Sequence, residues 1–248
     1  MNDIPAKFRK APFPYFGGKS IIAGEVWRRL GNPTHYVEPF CGSAAMLLAA
    51  PEPASLEVIN DMNFYIANFW RCVKFQPDAT ACEADYPVSH VDLDARHVWL
   101  TQPDRVAELR RNLADAEWPG DARIAGWWVW GQCCWIGSGW CEKEVISNAG
   151  QGVQSQIPHV SDAGRGVQAW FRHLATRLET VRVVHGDWTR CLNSHYGDTN
   201  SGTAYFFDPP YKGYESLYAD NTSRSVAGDV EAWCRDNADG HRIALCGH

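Results

Sequence analysis

The stretch Ala204–Tyr211, Ala-Tyr-Phe-Phe-Asp-Pro-Pro-Tyr, constrains the fold of this chain more than any other. A short apolar run that breaks off at Asp208-Pro209-Pro210-Tyr211 predicts a buried strand ending in a rigid turn. Neither proline can donate a ladder hydrogen bond, so the strand stops at Asp208. Its tip then carries a carboxylate, carbonyls held by two fixed φ angles, and an aromatic ring. A flat ring bearing an amino group fits such a tip. Asp208 and a proline carbonyl would accept its amino hydrogens while Tyr211 stacks on its face. The plain alternative is a strand-end turn with an Asp cap and a core tyrosine.

Three earlier segments have the same strand-to-turn character. In the stretch His35–Met46 a short strand runs into a turn with small residues and then an apolar helix through Ala50, the order in which an α/β fold opens a cofactor site. Gly42 allows close approach of the backbone, and Glu38 supplies a carboxylate beside it. Leu56–Asp61 ends on an acid about twenty residues after that turn, where ribose hydroxyls are commonly bound. A capping role for Asp61 over Met62–Lys74 is compatible with this, since a cap can use one oxygen. Thr180–Trp188 is a further strand ended by Gly186-Asp187. Asp187 could bind an exocyclic amine or cap the next turn. A helix near Val226–Asn237 and a strand Arg242–Cys246 close the chain. Upstream, Pro12–Ser20 contains Gly17-Gly18-Lys19, with Ser20 as a cap for a helix over Ile21–Leu30. The full phosphate-loop pattern G-x-x-x-x-G-K-[ST] is absent because position 13 is Phe.

From about Gln76 to Val181 the character changes. A helix is expected over Asp104–Ala116. Ile124–Trp140 then interleaves five tryptophans with four glycines, as core or as rings for base contact. Asn148–Arg165 reads as a long loop whose Asn and Gln side chains suit base edges. Trp170–Leu178 predicts a helix carrying Arg172 and Arg177.

Composition narrows the class. With 248 residues, 45% apolar and 21% charged, the chain can bury a sizeable core. No run of eighteen apolar residues could span a membrane, and Met1–Lys10 lacks a signal-peptide core. The nine cysteines contain no C-x-x-C pair, so reduced thiols in a cytoplasmic protein are expected, with no metal. The net charge of −6 means that any DNA-binding face must be local.

Taken in order, Pro-x-Pro-Tyr-Phe-Gly-Gly-Lys, Val-Glu-Pro-Phe-Cys-Gly-Ser, Asn-Asp, a long insertion, Gly-Asp-Trp and Asp-Pro-Pro-Tyr resemble the Dam-type (D12 class) adenine-N6 DNA methyltransferases. The resemblance implies an α/β, Rossmann-like methyltransferase sheet with helices on both faces. It implies a catalytic domain at 1–75 and 180–248 and an inserted target-recognition region at 76–179. S-adenosylmethionine is the implied cofactor, double-stranded DNA the implied partner, with no metal. By this resemblance Tyr15, Phe16 and Lys19 lie beside the cofactor. Glu38, Pro39, Phe40 and Gly42 form the loop near its methionine moiety. Asp61 takes the ribose hydroxyls, and Asp187 with Trp188 meets the cofactor's adenine. Asp208 and Pro209 accept from the target N6 amine, with Asp208 also near the cofactor, and Pro210 and Tyr211 complete the motif. Tyr211 stacks on an adenine flipped out of the duplex. Arg165, Arg172 and Arg177 are the expected phosphate contacts. Folds of this kind usually continue with a further strand pair, so C-terminal strands are expected to be missing and Arg242–Cys246 to lie near an open edge. Competing readings are another planar amine (cytosine N4, an RNA base or glutamine) and a catalytically inactive binding relative.

Overall fold

The computed structural model describes residues 10–15, 18–135, 140–141, 166–192, 202–210 and 226–247. By contacts the chain divides into two compact units, one formed by residues 17–63 and 180–248 and one by 1–16 and 64–179.

The first unit is an α/β sheet. Its strands are β1 (His35–Glu38), β2 (Leu56–Asp61), β3 (Val181–His185), β4 (Ala204–Phe207) and β5 (Arg242–Leu245). Among the described residues the order is β3-β2-β1-β4-β5, and every pair is parallel. The register aligns Val37 with Val58 and with Tyr205, and Tyr205 with Ile243. Because side chains alternate, these residues share one face. They pack with Phe207, Trp188 and Cys191 against Val230 and Cys234 of helix α9 (Val226–Asn237). Tyr36 points to the other face, where its ring lies 4.7 Å from Trp27 of helix α1 (Ala23–Leu30). Helices therefore cover both faces, as parallel strands rich in apolar residues require. A four-residue helix, α2 (Ala45–Leu48), follows the β1 loop and is wholly buried. The strand β5 stands at one end of the order.

Ser20 does not cap α1. The backbone turns first, with Ile22 N donating to Lys19 O at 3.1 Å, and the helix starts at Ala23 with no side-chain cap at Ile22.

The second unit is helical. Its helices are α3 (Phe64–Phe75), α4 (Pro77–Ala84), α5 (His90–Leu100), α6 (Pro103–Leu113), α7 (Ala122–Cys134) and α8 (Val167–Leu178). Two of them, α4 and α5, lie where the sequence suggested only acidic, proline-punctuated segments. Proline opens α4 at its first turn, where no amide partner is lost, and Ser89 caps α5 through Asp92 N. Phe13, Phe69, Trp70, Trp128 and Phe171 form a buried aromatic core. Trp128, Trp130 and Trp140 are buried, so most of the tryptophan-rich segment is packing. Two glycines make this possible. A Cβ on Gly126 would meet Glu83 at 2.4 Å, and one on Gly131 would meet the Trp140 ring at 1.8 Å. No helix of the described residues is long and apolar enough to cross a membrane.

Candidate active site

In an open parallel sheet, ligands bind outside the carboxyl ends of the strands where the strand order reverses. Here the order reverses between β1 and β4. The residues gathered at that end are Glu38, Asp61, Gly186 with Asp187, and Asp208, one from the end of each of four strands.

The loop after β1 is tied to its neighbours by backbone and amide groups. Asn60 Nδ2 donates to Pro39 O and to Gly186 O, both at 2.9 Å. One side chain on the central strand pair thus holds the loops after β1 and β3. Cys41 N donates to Asn60 O at 2.9 Å. Gly42 (φ 46°) and Ala44 (φ 51°) both adopt left-handed backbone, which folds the loop sharply before α2. The Gly42 amide consequently reaches Asp61 Oδ2 at 2.9 Å, while Asn63 N donates to Asp61 Oδ1 at 2.9 Å. Both carboxylate oxygens, not one, are engaged by backbone. Each oxygen still has a second lone pair, so hydroxyl donors can be accommodated. Burial pushes the Asp61 carboxyl up to about 6, against the opposing pull of the Asn63, Gly42 and Met62 amides.

Glu38 is 2% exposed. Its Oε2 accepts from Tyr36 Oη and from Leu47 N, both at 3.1 Å. Burial pushes its carboxyl up to about 8, opposed by those two donors and reinforced by the charges of Asp208 and Asp61. Glu38 therefore anchors α2 from below the loop and carries a proton at neutral pH.

Asp208 follows β4 directly. Lys19 Nζ lies 2.7 Å from its Oδ2, with side chains 14% and 19% exposed respectively. Cys246 is carried to the same place by the adjacent strand, since its amide donates to Phe207 O at 2.8 Å. The Cys246 thiol is pushed up to about 11, first by burial and then by the Asp208 charge, to which it is hydrogen-bonded. At neutral pH it is a protonated donor to that carboxylate. Pro209 is buried and Pro210 half-buried at this tip.

The other expected site residues divide as follows. Phe40 and Trp188 face each other, 6.4 Å apart and nearly parallel, and both pack on Phe207. Trp188 is 8% exposed, so its ring is part of the sheet core. Asp187 is exposed and its Oδ1 accepts from Thr189 N at 2.9 Å, closing the turn that begins the 3₁₀ helix Trp188–Leu192. Tyr15 belongs to the helical unit, its ring 6.1 Å from Phe13 and edge-on. Arg172 on α8 forms a two-bond ion pair with Asp78 of α4, at 2.6 and 3.1 Å, both exposed. Arg177 lies in the last turn of α8. Phe16, Arg165 and Tyr211 lie outside the described residues.

Sequence reasoning quoted Asn60 only within the Asn-Asp motif and gave it no role, and it missed Cys246 and the pairing of Lys19 with Asp208. Asn60 carried a signal, a polar residue in an otherwise apolar buried strand. Cys246 carried none, because only the strand order sets β5 beside β4. Among the described residues no group of three or more metal-ligating side chains was found.

Comparison with known proteins gives one family. The model of the D12 class N6 adenine-specific DNA methyltransferases matches residues 15–89, from Tyr15 through β1, β2 and α3 to the start of α5. No curated protein matches the chain.

Proposed function

Taking the D12-class match over residues 15–89 as the premise, we propose that this chain transfers a methyl group from S-adenosylmethionine to the N6 amine of adenine in DNA, at a specific site. The observation that carries this proposal is the position of Asp208. The match ends well before it, yet the fold sets its carboxylate at the strand-order reversal, beside the loop that the match covers.

The residues present fit the cofactor. Asp61 offers acceptor capacity at the tip of β2, next to the tight loop around Gly42, and Asp187 offers a second carboxylate at the tip of β3. When bound, S-adenosylmethionine supplies an electrophilic methyl group on a positively charged sulfur. The chain's own groups do the rest. Asp61 would take the ribose hydroxyls, with Asp187 and Trp188 toward the adenine ring. Tyr15, Phe16, Lys19, Glu38, Pro39, Phe40 and Gly42 would shape the surroundings of the methionine part. Asp208 and the Pro209 carbonyl would accept the two N6 hydrogens of a flipped adenine, with Tyr211 stacked on its face.

An exocyclic amine is a poor nucleophile because its lone pair is conjugated into the ring. Two acceptors favour a pyramidal nitrogen whose lone pair is directed along the line of transfer. The displacement would form the N6–methyl bond as the methyl–sulfur bond breaks, with S-adenosylhomocysteine as the leaving group. The surplus N6 proton would pass to Asp208 or water. Such a transfer depends mainly on positioning, which in well-oriented systems contributes about 7–11 kcal/mol. The Lys19 ammonium at Asp208 is the group that the target amine must join or displace.

The helical unit, within the region 76–179, is proposed to recognise the target, with Arg165, Arg172 and Arg177 toward phosphates. Cytoplasmic residence is proposed on the nine unbridged cysteines, which suit a reducing compartment.

The deciding experiment is tritiated methyl transfer to unmethylated duplex DNA, followed by digestion to nucleosides. Label in N6-methyladenosine is the expected result. Label in cytosine, in RNA or in protein would replace the substrate, and no label with intact cofactor binding would overturn the enzymatic assignment.

A further inference from the structure

The helical unit contains a cavity of about 480 Å³ that the proposed chemistry does not use. Glu83 of α4, Tyr86, Asp92, Arg96 and Trp99 of the α5 region and Trp127 of α7 line it. We propose that this cavity binds a guanine-type nucleobase, met edge-on by Arg96 and packed against the indole walls formed by Trp99 and Trp127. The proposal deepens the view of the helical unit as DNA-facing, and depends on that view only for the source of the base.

Arg96 is the first observation. It is 6% exposed. Its Cζ lies 4.2 Å from the Tyr86 ring centroid, 4.3 Å from that of Trp130 and 4.8 Å from that of Trp127. Aromatic rings can cover the faces of a guanidinium, but they leave its in-plane N–H groups to find acceptors. Among the described residues its Nη1 has none, and it is buried. A buried donor without an acceptor is unfavourable, so a ligand acceptor here is met by a group already desolvated.

The walls are the second observation. Trp99 and Trp127 are half-buried, with centroids 4.9 Å apart. Arg105 covers the Trp99 ring at 3.4 Å, and Arg123 approaches that of Trp127 at 5.8 Å. Alternating guanidinium planes and indoles form the kind of surface on which unstacked bases pack.

Charge selects the ligand. Two carboxylates, Glu83 and Asp92, line the cavity together with one guanidinium, which disfavours a phosphate. Glu83 is held by the Trp127 indole at 2.9 Å and by Arg123 at 3.8 Å. Asp92, on the first turn of α5, remains as the acceptor suited to a ligand donor. A ligand must then offer acceptors on one edge and donors on another. Guanine does so, with O6 and N7 toward a guanidinium and N1–H and N2–H toward a carboxylate. Adenine sets a donor beside N7, and so mismatches Arg96.

The test is calorimetric titration of the full chain with GMP, AMP, CMP and inorganic phosphate, with S-adenosylmethionine titrated into the same preparation. GMP is expected to bind about tenfold or more tighter than AMP and CMP, the scale of one bidentate base contact. Arg96→Lys should weaken GMP by about tenfold and leave cofactor affinity unchanged. If circular dichroism shows that this variant does not fold, Asp92→Asn decides, since it should erase the preference for GMP. Equal binding of the three nucleotides, binding of phosphate alone, or no binding while the cofactor still binds would each overturn the pocket. GMP binding without cofactor binding would instead leave the pocket standing and overturn the proposed methyl transfer.

Discussion

The two units of this chain spend their polar groups in opposite ways. In the α/β unit, Glu38, Asp61, Asp187 and Asp208 stand at the carboxyl ends of parallel strands, where backbone pairing stops. In the helical unit, polar groups fasten aromatic packing. Tyr65 Oη donates to Leu100 O at 2.8 Å, Trp140 Nε1 to Trp128 O at 3.0 Å, and Asn68 exchanges bonds with the Asp121 backbone at 3.0 and 2.9 Å. The comparison separates residues that are held in order to act from residues that act by holding. Substitution of Asp208 in the first unit should alter chemistry with little change in stability, and substitution in the aromatic core of the second should do the reverse.

The largest expected effect sharpens that contrast at Asp208. Asp208→Ala should lower methyl transfer by at least about 10²–10³-fold, the scale of one lost oriented group in a transition state. Cofactor affinity should change little. Single-turnover rates and a cofactor titration check both halves, and unchanged turnover would remove Asp208 from the reaction.

Next in size is Asp61→Ala. Loss of a carboxylate acceptor for hydroxyls should weaken S-adenosylmethionine by about 1.5–3 kcal/mol, or roughly ten- to a hundredfold. An unchanged dissociation constant would show that the Gly42 and Asn63 amides exhaust its role.

Glu38 offers a pH test of similar scale. Its carboxyl titrates near 4.5 when free and at about 8 in the fold. Between these values the folded state holds the extra proton, so stability falls as pH rises from about 4.5 to about 8, by at most about 1.4 kcal/mol per pH unit. Asp61, with its window from 3.8 to about 6, adds to the lower part of that fall. Glu38→Gln should therefore flatten the stability profile between about pH 6 and 8 and, between about 4.5 and 6, leave only the share of Asp61. Urea midpoints across pH 5–9 measure this. An identical profile in the variant would assign the slope elsewhere.

In the helical unit, Gly131→Ala forces a methyl group against the Trp140 ring and should cost about 1–3 kcal/mol. Cofactor affinity should hold while the denaturation midpoint drops, and the opposite pattern would break the comparison. The smallest effect is expected at the surface. Asp78→Asn frees Arg172 from an exposed pair worth less than about 1 kcal/mol. If Arg172 meets phosphate, this variant should strengthen DNA binding and steepen its salt dependence slightly, and a constant slope would leave Arg172 off the DNA path.

How much of this was legible beforehand follows the range of the signals. The five strands were readable because each is a short apolar run closed by turn residues, and α9 because its apolar positions recur at helical spacing. The helices α4 and α5 were not, since their apolar residues are few and their burial depends on partners far along the chain, such as Gly126 admitting Glu83. The capping role of Asp61 was readable with one oxygen in use, as Asn63 N shows, but the left-handed turn at Gly42 engages the other.

By itself the sequence determined which residues stand at strand tips, because proline, glycine and acid punctuate the backbone locally. It also carried the stretch from Tyr15 to Ser89 that the D12-class family model matches. Only the tertiary structure decided the strand order β3-β2-β1-β4-β5, which brings Lys19 and Cys246 to Asp208 and buries Glu38 until it keeps its proton. Those outcomes depend on which strands pair and on how much water their packing excludes, and neither quantity is written in any local stretch of chain.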